Sequence, residues 1–274
     1  MPLLHIIILA LVQGVTEFLP ISSSGHLILV QTLMDSGAAQ SWQSHMMLDV
    51  AVHVGTLLSV LVYFRKDVSD MLKGLKNITN GDMRTSDSKL LLHVIIGSIP
   101  VIIAGFALHV IEPSWLLSVK IIAWTTLVFG IVLWIADKTA PATRNVTDMT
   151  LKDAILIGLA QCLALIPGTS RSGITMIFGR FLGFTRAESA HYSLLLGMVA
   201  ISGAGVLGGL DIIKEGNLSL TIDILIAVML AFASGWVAIA LMMRWLEKSS
   251  FTPFAVYRII LGLTLLALLY WPAL

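Results

Sequence analysis

Two short stretches of this chain concentrate residues that can do chemistry. "EFLPISSSGH" (17–26) holds Glu17, Ser22, Ser23, Ser24 and His26, and "PGTSRSGIT" (167–175) holds Gly168, Ser170, Arg171, Ser172 and Thr175. Gln13 and Glu17 stand at i and i+4, so a helix puts both on one face. An amide and a carboxylate side by side offer oxygen ligands to a hard divalent ion such as magnesium or calcium. Serines leading into a helix serve as N-caps. The same position, with free N–H groups and the positive end of the helix dipole, also attracts anions. His26, directly after the serines, can act as nucleophile, general base or general acid. The planar guanidinium of Arg171 matches a phosphate or a carboxylate. The competing readings are structural: Glu17 bracing the Ser22–Ser24 turn, or pairing with Arg171 as a salt bridge. Taken together, a nucleophile or base, an acid, an arginine and hydroxyl-rich anion loops suit phosphoryl transfer, which depends on positioning and charge neutralisation.

The elements that carry these stretches belong in lipid. Of 274 residues, 57% are hydrophobic and 12% charged, and the mean hydropathy is +0.92. A water-soluble surface of this length needs more charge. The net charge of +1 gives no reason to expect nucleic acid as a partner. Cys162 is the single cysteine, so no intrachain disulfide contributes. The N-terminal stretch has no basic n-region and no small-x-small cleavage site before Glu17, so the first helix is expected to stay in the mature protein.

About 20 apolar residues cross a hydrocarbon core, and six stretches come close: 47–64, 90–110, 115–137, 187–210, 221–244 and 254–273. The first is short, and Pro100 is expected to kink the second. Residues 3–18 and 151–166 are apolar but interrupted, by Pro20 with the serines and by Pro167-Gly168. Each is followed by a short apolar stretch, 27–34 or 174–182. Non-helical backbone at membrane depth survives where it is buried in protein or lines a wet cavity. The fold class expected is therefore all-α, with six transmembrane helices and two re-entrant helix–loop–helix hairpins. The segment 65–89 reads as a loop, and the positive-inside rule makes it cytoplasmic. Thirteen of the 17 Lys and Arg then lie inside, Lys214 alone lies outside, and Lys120, Arg171 and Arg258 fall within helices or the second break. Both termini are expected outside.

Shifting the chain on itself by 148 positions aligns the two breaks: Gln13 with Gln161, Ser22 with Ser170, Ser24 with Ser172, Gly25 with Gly173. Each half, about 1–137 and 151–274 of a single membrane domain, then reads as one hairpin and three spans. An odd number of crossings inverts the second half, and inverted repeats bring broken helices together near the midplane. The Glu-Ser-His tip is expected to meet the Ser-Arg-Ser tip.

At these motifs the chain resembles the undecaprenyl-pyrophosphate phosphatase (bacitracin-resistance) family of bacterial inner membranes. "QGVTEFLPISSSGH" is similar to its (Glu/Gln)-x-x-x-Glu motif with downstream serines and histidine, and "PGTSRSGIT" to its Pro-Gly-x-Ser-Arg-Ser-x-x-Thr motif. The resemblance implies hydrolysis of the C55 lipid diphosphate to the monophosphate, recycling the carrier of cell-wall precursors with a divalent cation. It implies that Glu17 and Gln13 position metal or water, and that Ser23 and His26 supply nucleophile and base. Arg171, Ser170, Ser172 and Thr175 would hold the diphosphate. It favours substrate entry from the periplasmic side. Whether Ser23, His26 or water attacks stays open at this level, as does any oligomeric state. Type 2 phosphatidic acid phosphatases need a histidine six residues after the arginine, where this chain has Ile177. The alternative is a secondary transporter for an anionic substrate, since broken inverted repeats are a transporter architecture. A non-enzymatic scaffold leaves a deep glutamate and arginine without a purpose. The other histidines, His53 being the least clear of them, read as structural.

Overall fold

A computed structural model describes residues 2–34, 42–111, 118–214 and 222–270. Residues 115–117, 221 and 271–273 of the expected spans lie outside the described residues, as do Met1 and Leu274 at the two termini. The described residues form eleven α-helices: α1 (Leu3–Phe18), α2 (Ser23–Met34), α3 (Trp42–Tyr63), α4 (Arg65–Thr79), α5 (Ser86–Ile111), α6 (Val119–Thr139), α7 (Leu151–Gln161), α8 (Arg171–Phe181), α9 (Arg186–Lys214), α10 (Ile222–Lys248) and α11 (Thr252–Tyr270). Among them there is no strand.

Among the described residues, helices α5, α6, α9, α10 and α11 are each long and apolar enough to cross a membrane, and the bent pair α3–α4 brings the number to six when it is taken as one span. Their outer faces are apolar, with Ile103, Val110, Leu225 and Ile260 at least 60% exposed. The chain is a multi-pass membrane protein. Pro100 sits inside α5 without ending it, since neighbouring elements can satisfy the freed backbone.

Residues 65–89 are not the plain loop expected from their charge. They contain α4, which turns away from α3 by 81°. Leu72 and Leu75 are exposed on it beside Lys66, Lys73 and Lys76, the composition of a helix lying in a membrane interface. The many charges hid this helix because its apolar face is only a narrow stripe.

The interrupted segments form two short helix pairs. Pro20 and Pro167 lack the N–H that a continuing helix requires, and the residues before them, Leu19 and Ile166, are extended, as a following proline demands. Helix α1 packs on α2, and α7 on α8. The first limb of each pair also packs on a distant span, α1 on α10 and α7 on α5, while α6 packs on α11 and α3 on α9. The core runs between these helices, with Phe18, Leu133, Ile157, Ile174, Met176 and Leu195 fully buried.

Candidate functional site

Both breaks end on a serine in the same unusual conformation. Ser22 has φ +74° and Ser170 φ +72°, a region that non-glycine residues enter at about 1–3 kcal/mol. Each such serine turns its hydroxyl onto the first turn of the next helix. Ser22 Oγ accepts from the Gly25 N–H at 3.3 Å and Ser170 Oγ from the Gly173 N–H at 3.1 Å. A second serine lies beside each: Ser24 Oγ is 3.5 Å from Ser22 Oγ, and Ser172 Oγ is 3.1 Å from Ser170 Oγ. The caps therefore occupy Ser22 and Ser170, leaving Ser23 for other work.

The two turns meet. Ser172 donates from its hydroxyl to the Leu19 carbonyl at 2.8 Å, and Arg171 Nη2 donates to Glu17 Oε1 at 3.0 Å. The other oxygen of Glu17 accepts from Gln13 Nε2 at 3.0 Å and from the Ser23 hydroxyl at 2.6 Å. The Glu17 carboxylate thus joins an amide, a hydroxyl and a guanidinium. Glu17 is buried and Ser23 partly so, and a buried ion pair needs such extra hydrogen bonds to offset its desolvation. The salt bridge that competed with a catalytic reading of the sequence is present, and the same carboxylate also holds the Ser23 hydroxyl.

His26 stands apart from this network. Its Nδ1 is 2.6 Å from the Ser22 carbonyl oxygen, which can only accept, so Nδ1 carries the proton. Nε2 lies 2.6 Å from the Tyr257 hydroxyl, and the two rings stack with centroids 5.7 Å apart. Ser23 therefore donates to Glu17 rather than to His26. Thr175 is turned inward: its hydroxyl donates to the Arg171 carbonyl at 2.8 Å and meets Ser193 Oγ at 2.6 Å. That bond braces the turn beneath Arg171. Gly168, with φ +85°, points its carbonyl at Arg258. Ser24 is exposed.

Three residues of this region were not assigned from sequence. Tyr257 and Arg258 come from α11, and Gly197 from α9. A β-carbon on Gly197 would lie 2.8 Å from Arg171 Cζ and 2.9 Å from Nη2, so glycine makes the hollow in which the guanidinium rests. Nη1 donates to the Ser193 carbonyl, one turn earlier on the same helix, at 3.3 Å. Arg258 was visible as an arginine inside a span, a signal in itself. Tyrosine and glycine in apolar helices carry no such signal.

Among the described residues no cluster of three or more His, Cys, Asp or Glu is placed to hold a metal. A smaller oxygen set is present. Gln13 must turn its Nε2 toward the carboxylate, because a carboxylate only accepts, and its Oε1 is then buried without a hydrogen-bond partner. Such an atom has a lone pair to offer. One amide oxygen and one carboxylate fit a magnesium-type site that takes its remaining ligands from phosphate and water.

Comparison with known proteins bears on what this arrangement does. The sequence pattern of the family described as bacitracin resistance protein BacA matches residues 6–264. A protein of Ruegeria pomeroyi named undecaprenyl-diphosphatase is 46% identical over 271 residues, covering 98% of this chain and 100% of its own length. Another of that name, from Hahella chejuensis, is 45% identical over 97% of this chain and 98% of its own. Undecaprenyl-diphosphatase 1 of Rhodospirillum rubrum is 42% identical over 98% and 96%.

Proposed function

The chain belongs to the bacitracin resistance protein BacA family, and from that membership we infer that it is an undecaprenyl-diphosphate phosphatase. It hydrolyses the C55 prenyl diphosphate to the monophosphate and inorganic phosphate, so that the lipid carrier can be used again in cell-wall synthesis. The observation that carries this reading is the Ser23 hydroxyl donating to Glu17 at 2.6 Å while Glu17 also holds Arg171 at 3.0 Å.

The proposed course follows from those contacts. The terminal phosphate draws Arg171 away from Glu17, since a phosphate with more than one negative charge is the stronger partner for a guanidinium. Glu17, relieved of that contact, accepts the Ser23 proton. Ser23 Oγ then attacks the terminal phosphorus, the bond to the bridging oxygen breaks, and the prenyl monophosphate leaves with that oxygen. Water cleaves the resulting phosphoserine, the proton on Glu17 returns to Ser23 Oγ as the P–O bond breaks, and inorganic phosphate is released. His26 is the base for that water, through the Nε2 that Tyr257 covers when no substrate is there. Ser24, the Ser170–Ser172 turn and the N-terminus of α8 hold the phosphate oxygens, and the Gly168 turn and Thr175 keep that loop in shape. A divalent cation on Gln13 Oε1 and Glu17 would supply further charge neutralisation over the diphosphate.

Several finer points belong to the same proposal. The molecule is one membrane domain of two interlocked repeat halves, supported by the matched serine turns 148 residues apart and by the α1–α10 and α7–α5 packing. It resides in the bacterial inner membrane with both termini periplasmic, supported by the skew of its cations. The transporter alternative uses broken helices equally well, but it has no role for a serine hydroxyl set on a carboxylate. The test is purified protein supplied with a prenyl diphosphate. Release of inorganic phosphate by the native protein, with loss of about 100-fold or more in Ser23→Ala, is the expected result. Uptake of an anion into sealed vesicles without phosphate release would overturn it.

A further inference from the structure

Arg258 on α11 is fully buried, and its hydrogen-bond partners are all backbone carbonyls. Nη1 donates to Pro20 at 3.2 Å, in the first break. Nη2 donates to Gly168 and to Thr169, each at 2.9 Å, in the second. Nε donates to Thr126 at 3.3 Å, on α6. Among the described residues no carboxylate is one of its partners. A β-carbon on Gly173 would lie 2.7 Å from its Nη1, so the cation also sits against the first turn of α8, the end of the helix that favours anions.

One side chain therefore holds both breaks and a span that flanks them. Three of the carbonyls it gathers belong to Pro20, Gly168 and Thr169, in the two breaks, where the helix ladder has stopped and intrahelical donors are missing. Two threonines of α6 support the same loop: Thr125 donates to the Pro167 carbonyl at 2.6 Å and Thr126 to that of Gly168 at 3.5 Å. A neutral donor would satisfy carbonyls with less desolvation than an unpaired buried cation. The charge itself needs a reason, and an anion binding a turn away supplies one.

We propose that Arg258 is a positioning residue for the phosphatase reaction, fixing the two serine turns against each other while its unpaired charge raises the affinity of the site for the diphosphate. It does not touch the reacting atoms. The two functions separate in two substitutions. Arg258→Lys keeps the charge but replaces a planar fork with a point donor, so it loosens the turns. Arg258→Met keeps the length and removes the charge.

This inference rests on the phosphatase reading, so the native protein is assayed first; if it releases no phosphate from a prenyl diphosphate, that reading fails on its own. With an active native protein, kcat and KM are measured for both variants beside their thermal unfolding, together with inhibition by inorganic pyrophosphate. The expected result is a folded Arg258→Lys with kcat lowered about 10- to 100-fold, the scale of small misplacements, and KM and pyrophosphate inhibition within about threefold of native. In Arg258→Met the KM and the pyrophosphate inhibition constant both rise by about tenfold or more. A folded Arg258→Lys with native kcat overturns the proposal, as does a folded Arg258→Met with native pyrophosphate inhibition. Should the methionine variant not fold, the lysine variant alone decides.

Discussion

Glu17 is the residue on which the site converges, since its two oxygens receive an arginine, a glutamine and a serine. Replacing it by glutamine would remove the proposed base and leave the partly buried Arg171 without its charged partner. Glu17→Gln is expected to lower phosphate release by about 100-fold or more and to lower the melting temperature, checked by thermal unfolding of the solubilised protein. Tyr257 acts more gently. Tyr257→Phe keeps the ring that stacks on His26 and removes one hydrogen bond, so kcat/KM should fall by about tenfold at most. The reactive residues were legible in the sequence because a carboxylate, an imidazole and a guanidinium in apolar surroundings demand partners. Their pairing was less so: Ser23 on Glu17, and His26 on Tyr257, depend on which face of α2 looks toward α1 and which toward α11.

Two prolines and two positive-φ serines shape the elements that hold these groups. The interruption of both helices was legible, because at each a proline falls together with serines or glycine, whereas the lone Pro100 leaves α5 continuous. That α4 is a helix at an angle, and that α11 closes the site, were not, since each depends on packing between distant segments. Gly197 shows how an unremarked residue in a span can shape the seat of an arginine. A methyl group there would meet the flexible end of Arg171 rather than backbone, so the fold should survive while the guanidinium moves off Glu17. Gly197→Ala is expected to reduce kcat/KM by about tenfold or more with a melting temperature close to native. A native rate in this variant would show that Arg171 does not need that seat.

At the scale of the molecule, two broken helices reach the same place and are tied there by Arg171 to Glu17, Ser172 to Leu19, and Arg258 to both turns. The two breaks are thereby held against each other among the helices, and the apolar exterior is left to lipid. A divalent ion on Gln13 and Glu17 would add to that site. Chelation is expected to slow phosphate release, and added magnesium or calcium to restore it; a rate unchanged by chelation would remove the ion from the account. The most direct test of the shared site is phosphate release from a prenyl diphosphate by Arg171→Ala, measured beside its thermal unfolding. The site requires a folded variant slowed by about 1000-fold or more. A folded variant within about threefold of the native rate would show that the second break takes no part in the reaction.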